Sequence, residues 1–209
     1  MGTRSAVIII EDEKAKGFYN QFDGYPDGGV GEEVVIELQK IDEINGWDQF
    51  KKNCKKVELV DENKKPSKLI QEKYNKFFNS GVSTGKSEEW YALLRELQGA
   101  KYIPEIMSGK VEHMLDGTNF IKDSLFCEYA YVIDLDKMVL ELYKGFQKEP
   151  QKGNRFGEKL AKGEDTYYPC KKVGEIALKG IFDKSSNKNA VENKAIDKML
   201  EIYKQEVEK

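Results

Sequence analysis

Residues 4–11 (Arg-Ser-Ala-Val-Ile-Ile-Ile-Glu) are a short run of branched apolar side chains, and 16–22 (Lys-Gly-Phe-Tyr-Asn-Gln-Phe) form a second strand-like segment. With Asp12-Glu13 as the turn between them, the pattern predicts a β-hairpin in which Ala6 faces Tyr19, Ile8 faces Gly17 and Arg4 faces Gln21. Opposed residues share a face. Val7, Ile9, Phe18 and Phe22 then belong to the core, while Arg4, Tyr19, Gln21 and Asp23 gather at one end of the other face. A glycine-rich loop follows from Asp23 to Gly31.

Helical spacing takes over after the loop. Val34, Leu38 and Ile41 recur at i, i+4 and i+7, with Glu32 and Glu33 in the first turn and Asn45-Gly46 as the stop. Trp47, Phe50, Cys54 and Val57 mark a second helix. Ile70, Tyr74, Phe77 and Phe78 mark a third, entered near Pro66-Ser67, and Trp90, Leu93, Leu94 and Leu97 a fourth, with Ser87 as N-cap and Gly99 past its end. Residues 126–134 and 138–144 predict a second hairpin turning at Leu135-Asp136-Lys137. The stretch 145–165 is poor in large apolar residues and predicts a mobile flap. Residues 167–178 offer an edge strand, and Ile196, Met199, Leu200 and Tyr203 a C-terminal helix. The fold expected is a single α+β domain over 1–209. Its antiparallel sheet is built from the hairpins 4–11/16–22 and 126–134/138–144, and helices cover one face.

The composition supports a buried core. Hydrophobic residues make up 39% of the 209, and Trp 2, Tyr 11 and Phe 10 give large apolar surfaces, although 34% of the chain is charged. No apolar run approaches the roughly 18 residues of a membrane span, and Ala6–Ile10 is too short for a signal peptide, so a cytoplasmic protein with no membrane partner is expected. Cys54, Cys127 and Cys170 show no Cys-x-x-Cys spacing and read as reduced thiols. His113 is the only histidine, which excludes a zinc site of several imidazoles and leaves a Cys–His dyad only formally open. Three of the 34 basic residues are arginine (Arg4, Arg95, Arg155), so nucleic-acid recognition is disfavoured. Residues 1–143 carry a net −7 and 144–209 a net +4. The lysine-rich third therefore suits an acidic partner.

Two motif matches fail on their spacing. Gly81-Val82-Ser83-Thr84-Gly85-Lys86-Ser87 imitates a P-loop, but Ser80 stands where the first glycine belongs and the preceding segment is helical rather than extended. The 23–34 loop imitates a calcium loop, but Tyr25 and Val34 occupy ligand positions. The same loop leads into a helix N-terminus that could cradle a phosphate, although its own carboxylates would repel one.

With Met1-Gly2-Thr3-Arg4-Ser5 before it, the segment from Tyr19 to Gly28 (Tyr-Asn-Gln-Phe-Asp-Gly-Tyr-Pro-Asp-Gly) resembles a family of short uncharacterised proteins of phages, plasmids and bacterial genomes. These share an N-terminal Gly-Thr-Arg-Ser strand and a Tyr-x-Gln-(Phe or Trp)-Asp-Gly-Tyr-Pro-x-Gly loop. The likeness covers roughly the first 40 residues, and residues 128–134 more loosely. Gly29 departs from the family's Gly-x-Gly ending. The resemblance implies an accessory protein of a phage or mobile element and brings no reaction with it.

The residues themselves offer a guanidinium, an amide, carboxylates and aromatic faces in one constellation. Arg4, Tyr19, Gln21, Asp23, Tyr25 and Asp27 could bind a nucleotide-like ligand or a peptide. In the bland alternative, Arg4 and Asp23 are an ion pair that pins the hairpin to the loop. The function expected is non-enzymatic binding of a small polar ligand or a host protein, with no cofactor, metal or catalytic residue. One rival is a metal-dependent hydrolase using Asp23 and Asp27, and the other is a protein–protein inhibitor acting through the lysine-rich third.

Overall fold

The N-terminal apolar run becomes strand β1 (Ser5–Glu11), buried at every position, and β2 (Lys14–Asn20) returns antiparallel in the predicted register, with Ala6 opposite Tyr19 and Ile8 opposite Gly17. Asp12 and Glu13 both take positive φ, 49° and 60°, in the two-residue turn that matches strand twist. The structure, a computed structural model, describes residues 2–78, 88–160, 166–182 and 193–208. Then follow α1 (Val30–Glu43), α2 (Trp47–Lys56), β3 (Glu58–Val60), α3 (Lys68–Tyr74), α4 (Trp90–Leu94), α5 (Tyr102–Met107) and β4 (His113–Leu115). The second hairpin is β5 (Tyr129–Asp134) and β6 (Val139–Lys144), followed by β7 (Lys171–Ala177) and α6 (Lys194–Val207). Ser87 and the P-loop look-alike at 81–87 lie outside the described residues, and α4 is capped at Glu89.

The five-stranded sheet has the order β2-β1-β5-β6-β7, with β1 and β5 parallel and every other pair antiparallel. It is thus mixed rather than purely antiparallel. The two hairpins meet through their first strands, which run in the same direction because more than a hundred residues of helix and loop separate them. Strands buried on both faces favour continuous apolar runs, and Ala6–Ile10 and Ala130–Ile133 are such runs.

The helices cover one face, as expected, and the other face is covered as well, by shorter and irregular segments. Val7, Ile9, Phe18, Tyr131, Ile133 and Leu142 pack against α1, α2, α5 and α6 in the larger core. Ala6, Ile8, Ile10, Val132 and Tyr143 pack with Ile121, Cys127 and Cys170 in a second one. Phe22, expected in the core, is 62% exposed because β2 ends at Asn20 and the chain leaves the sheet there. The stretch read as a flap is described over 145–160, where it lies on the second face. Gln147 N–H donates to Ser124 Oγ at 3.0 Å, Asn154 Nδ2 to the Cys170 carbonyl at 2.9 Å, and the Phe156 ring meets Tyr143 edge-on at 5.4 Å. Residues 161–165 lie outside the described residues.

The β2 edge is closed by residues 116–118. Gly117 N–H donates to the Gly17 carbonyl at 2.8 Å and Gly17 N–H to Thr118 Oγ1 at 2.9 Å. A Cβ on Gly17 would sit 2.8 Å from Thr118 Cα, and one on Gly117 2.6 Å from the Tyr19 nitrogen, so this contact needs glycine on both sides. On the same strand Lys16 Nζ donates to the carbonyls of Cys54 (2.7 Å) and Val57 (2.6 Å), where α2 leaves its last carbonyls without helical partners. Burial depresses the Lys16 pKa, partly offset by Cys54 and Glu11. Lys16→Met removes the charged donor from these carbonyls and is expected to lower unfolding free energy by about 2 kcal/mol. Urea denaturation checks this; a loss below about 0.5 kcal/mol would mean that water serves the carbonyls equally well.

His113 on β4 stacks on Trp90 (centroids 4.6 Å) and shares a 2.9 Å hydrogen bond from its Nδ1 to the Tyr74 hydroxyl, which also accepts from Glu112 N–H. Burial holds its pKa below the usual histidine range; Glu58 opposes this and Lys73 reinforces it. Because the unfolded chain takes up the proton more readily, this contribution to stability is present above about pH 6.5 and is lost as pH falls. Urea midpoints measured at pH 7.5 and 5.5 should differ more in the parent protein than in His113→Asn. Equal differences would show that another group carries the dependence.

Candidate functional site

The six sequence-predicted residues sit where β1 begins and β2 ends. Tyr19, whose hydroxyl donates to Gln21 Oε1, lies edge-on to Phe120, and burial raises its pKa while Arg4 lowers it. The Arg4 guanidinium lies over the Phe126 ring, 5.2 Å from its centroid, and its buried Nε has no hydrogen-bond partner. Asp23 accepts instead from the Tyr25 hydroxyl at 3.1 Å, and among the described residues no ion pair joins it to Arg4. Asp27 is exposed on the loop. The constellation therefore divides into Arg4-Tyr19-Gln21 and Asp23-Tyr25, with Asp27 apart.

The loop satisfies its own helix. Val30 N–H donates to the Asp23 carbonyl (2.8 Å), Gly31 N–H to the Tyr25 carbonyl (3.3 Å) and Gly28 N–H to Glu32 Oε2 (3.0 Å). Three of the donors that could cradle a phosphate are thus already occupied. Gly24 N–H bonds the Thr3 carbonyl (2.9 Å), and the buried Tyr131 hydroxyl donates to the Gly24 carbonyl (2.9 Å), fixing the loop to the central strands. A Cβ at Gly24 would meet Ser5 Cβ at 2.7 Å.

Two clefts lie on the second face of the sheet. The first, of about 660 Å³, opens beside the two hairpin turns, where β1 and β5 end. Ile10, Ala15 and Phe156 give it apolar walls, and Glu13, Thr118, Asn119, Lys122, Asp134, Asp136, Lys137 and Arg155 line it with polar groups. The second, of about 490 Å³, runs over β6 and β7 beside Glu141, Tyr143, Lys152 and Lys172. Lys137 and Arg155 line both. None of the six predicted residues lines either one.

Between the clefts the strands present carboxylates inward. Asp134 and Glu141 are each 1% exposed. Register places them on one face, since Val132 pairs with Glu141 and Asp134 with Val139. Burying such charges demands compensation. Arg155 Nη2 supplies it, 2.8 Å from Asp134 Oδ2 and 3.3 Å from Glu141 Oε1. Lys172 Nζ adds a contact of 2.9 Å to Glu141 Oε1, and the Tyr143 hydroxyl donates to Glu141 Oε2 at 3.0 Å. Asp134 Oδ1 accepts from the N–H groups of Asp136 (3.1 Å) and Lys137 (2.9 Å). Burial raises the Asp134 pKa, but these N–H groups and Arg155 outweigh it and hold the carboxyl below its ordinary value. Burial and Glu141 together push the Tyr143 hydroxyl well up.

Sequence reading missed this cluster, although the second hairpin carried its signal: an acid in each strand, on the face where every other side chain had to be buried. Nucleophilic chemistry finds little support at the thiols. Burial lifts Cys54 to about 12, and Cys127 and Cys170 are fully buried. His113 is engaged by Tyr74 and Trp90. Among the described residues no three His, Cys, Asp or Glu side chains form a group that could hold a metal ion, and no helix is long and apolar enough to cross a membrane. No family model, curated protein or solved structure matches the chain.

Arg155→Ala leaves Asp134 and Glu141 without their shared cation and is expected to cost about 3 kcal/mol of unfolding free energy. Lys172→Ala, acting on Glu141 from a more exposed position, should cost distinctly less. Equal losses in urea denaturation would show that Arg155 is not the principal counter-ion.

Proposed function

We propose that this chain is a non-enzymatic binding protein that takes a small anionic, nucleotide-like ligand in the cleft beside the hairpin turns. One observation carries the reading: hydrogen bonds within the protein occupy the Asp134 and Asp136 carboxylates on the wall, so that Glu13 is the one lining carboxylate without a partner among the described residues, while several donors are left open. Both Asp136 oxygens accept from the turn, from Asp12 N–H at 3.0 Å and Glu13 N–H at 2.9 Å, and Asp134 is saturated as described. Lys122 and Asn119 have no side-chain partner among the described residues, and the contacts of Arg155 among them are made through Nη2, which leaves Nε and Nη1 for a ligand. A polar site whose open donors outnumber its open acceptors favours an anion. The apolar side formed by Ile10, Ala15 and Phe156 suits a flat, weakly polar group such as a base. The volume lies within the range of small-molecule sites.

A cytoplasmic setting and an accessory role in a phage or mobile element complete the proposal, and the role rests on the sequence resemblance alone. Titration calorimetry with AMP at low salt tests the binding. Saturable heat is expected, with Lys122→Gln about tenfold weaker. Absence of heat with AMP, ADP and inorganic phosphate alike would overturn the reading.

A host-protein contact is favoured by a different feature, the exposed Phe126 ring under the Arg4 guanidinium. Phe126 is 46% exposed, and Phe22, beside Gly2, adds a second exposed aromatic side chain; aromatic rings and arginine are common in interface centres.

A further inference from the structure

We infer that the two clefts are one groove bridged by Arg155, and that the ligand it takes carries two linked anionic groups, as in a diphosphate chain. The inference rests on the reading of the first cleft given above and extends it to the second. Arg155 and Lys137 line both clefts, so the two lie side by side with these side chains between them. Asp134 and Glu141 hold Nη2 from below, which anchors the guanidinium at that end, while Nε and Nη1 have no partner among the described residues. A planar, pre-oriented guanidinium matches two oxygens of a phosphate group better than a swinging ammonium does.

Beyond Arg155 the second cleft continues the same pattern. Glu141 is saturated by Arg155, Lys172 and Tyr143, whereas Lys152 has no partner among the described residues. Lys122 and Lys152 thus offer unpartnered ammonium groups on the two sides of the bridge, and Lys137, 4.0 Å from Asp134 Oδ2, adds a loosely held one between them. An anion confined to the first cleft would leave Lys152 unused. A diphosphate crossing Arg155 meets all three, and a base attached to it would rest against Phe156.

Calorimetry on the full chain with AMP, ADP and pyrophosphate tests this. ADP is expected to bind about tenfold more tightly than AMP, and Lys152→Gln should abolish that difference while leaving AMP affinity unchanged. Lys152 is exposed, so the variant should fold as the parent does. Pyrophosphate binding as tightly as ADP would support the groove and assign its affinity to the phosphate chain; weaker binding would support it with the base contributing. Equal affinity for AMP and ADP, or an ADP preference that survives Lys152→Gln, would overturn the bridge while leaving the single-cleft reading intact. Failure of all three probes would remove both readings.

Discussion

The parallel pairing of β1 with β5 is the constraint from which the rest follows. It places two strands in the middle of the sheet, each hydrogen-bonded on both edges and apolar on both faces. A sheet of this kind cannot leave one face to water. The helices close the first face. The second is closed by short and irregular pieces, residues 118–122 and 145–160, because the intervening chain has already spent its amphipathic helices on the first. An irregular cover packs less continuously than a helix does, and the clefts lie where it meets the strands.

The buried charges follow from the same constraint. Asp134 and Glu141 occupy strand positions whose register turns them toward the second face, and once that face is covered they must be neutralised. Residues 145–160 provide both the cover and the counter-ion, so Arg155 ties an irregular segment to a sheet it could not hold by apolar contacts alone. The network satisfies its acceptors first, and the surplus donors remain at the rim of the clefts.

Much of the architecture was legible in the sequence where a single element determined it. The register of the first hairpin follows from its two-residue turn, and the helices at 30–43, 47–56 and 194–207 follow from their apolar spacing. Tertiary pairing was not legible, since which hairpin edges meet depends on contacts between residues more than a hundred positions apart. Short elements escaped for the same reason: β3, β4 and α5 have too few residues for periodicity to mark them. Phe22 misled because alternation was carried past the end of the strand, and the Arg155 cluster was missed because its carboxylates and their cation belong to different segments.

The glycine loop shows why a polar constellation near a conspicuous motif need not be a binding site. The carbonyls of Asp23 and Tyr25 and the carboxylate of Glu32 close onto Val30, Gly31 and Gly28, so the start of α1 is capped from within its own loop. Asp23 takes positive φ, 54°, a conformation that aspartate tolerates better than most residues do, and its side chain turns to Tyr25 rather than Arg4. Tyr131 then pins the loop from beneath, through the parallel strand that the loop flanks. Most of the loop's hydrogen bonds among the described residues thus hold α1 and the central strands to the loop itself. Two cations without such a task among the described residues, Lys122 and Lys152, stand beside the clefts at the other end of the sheet.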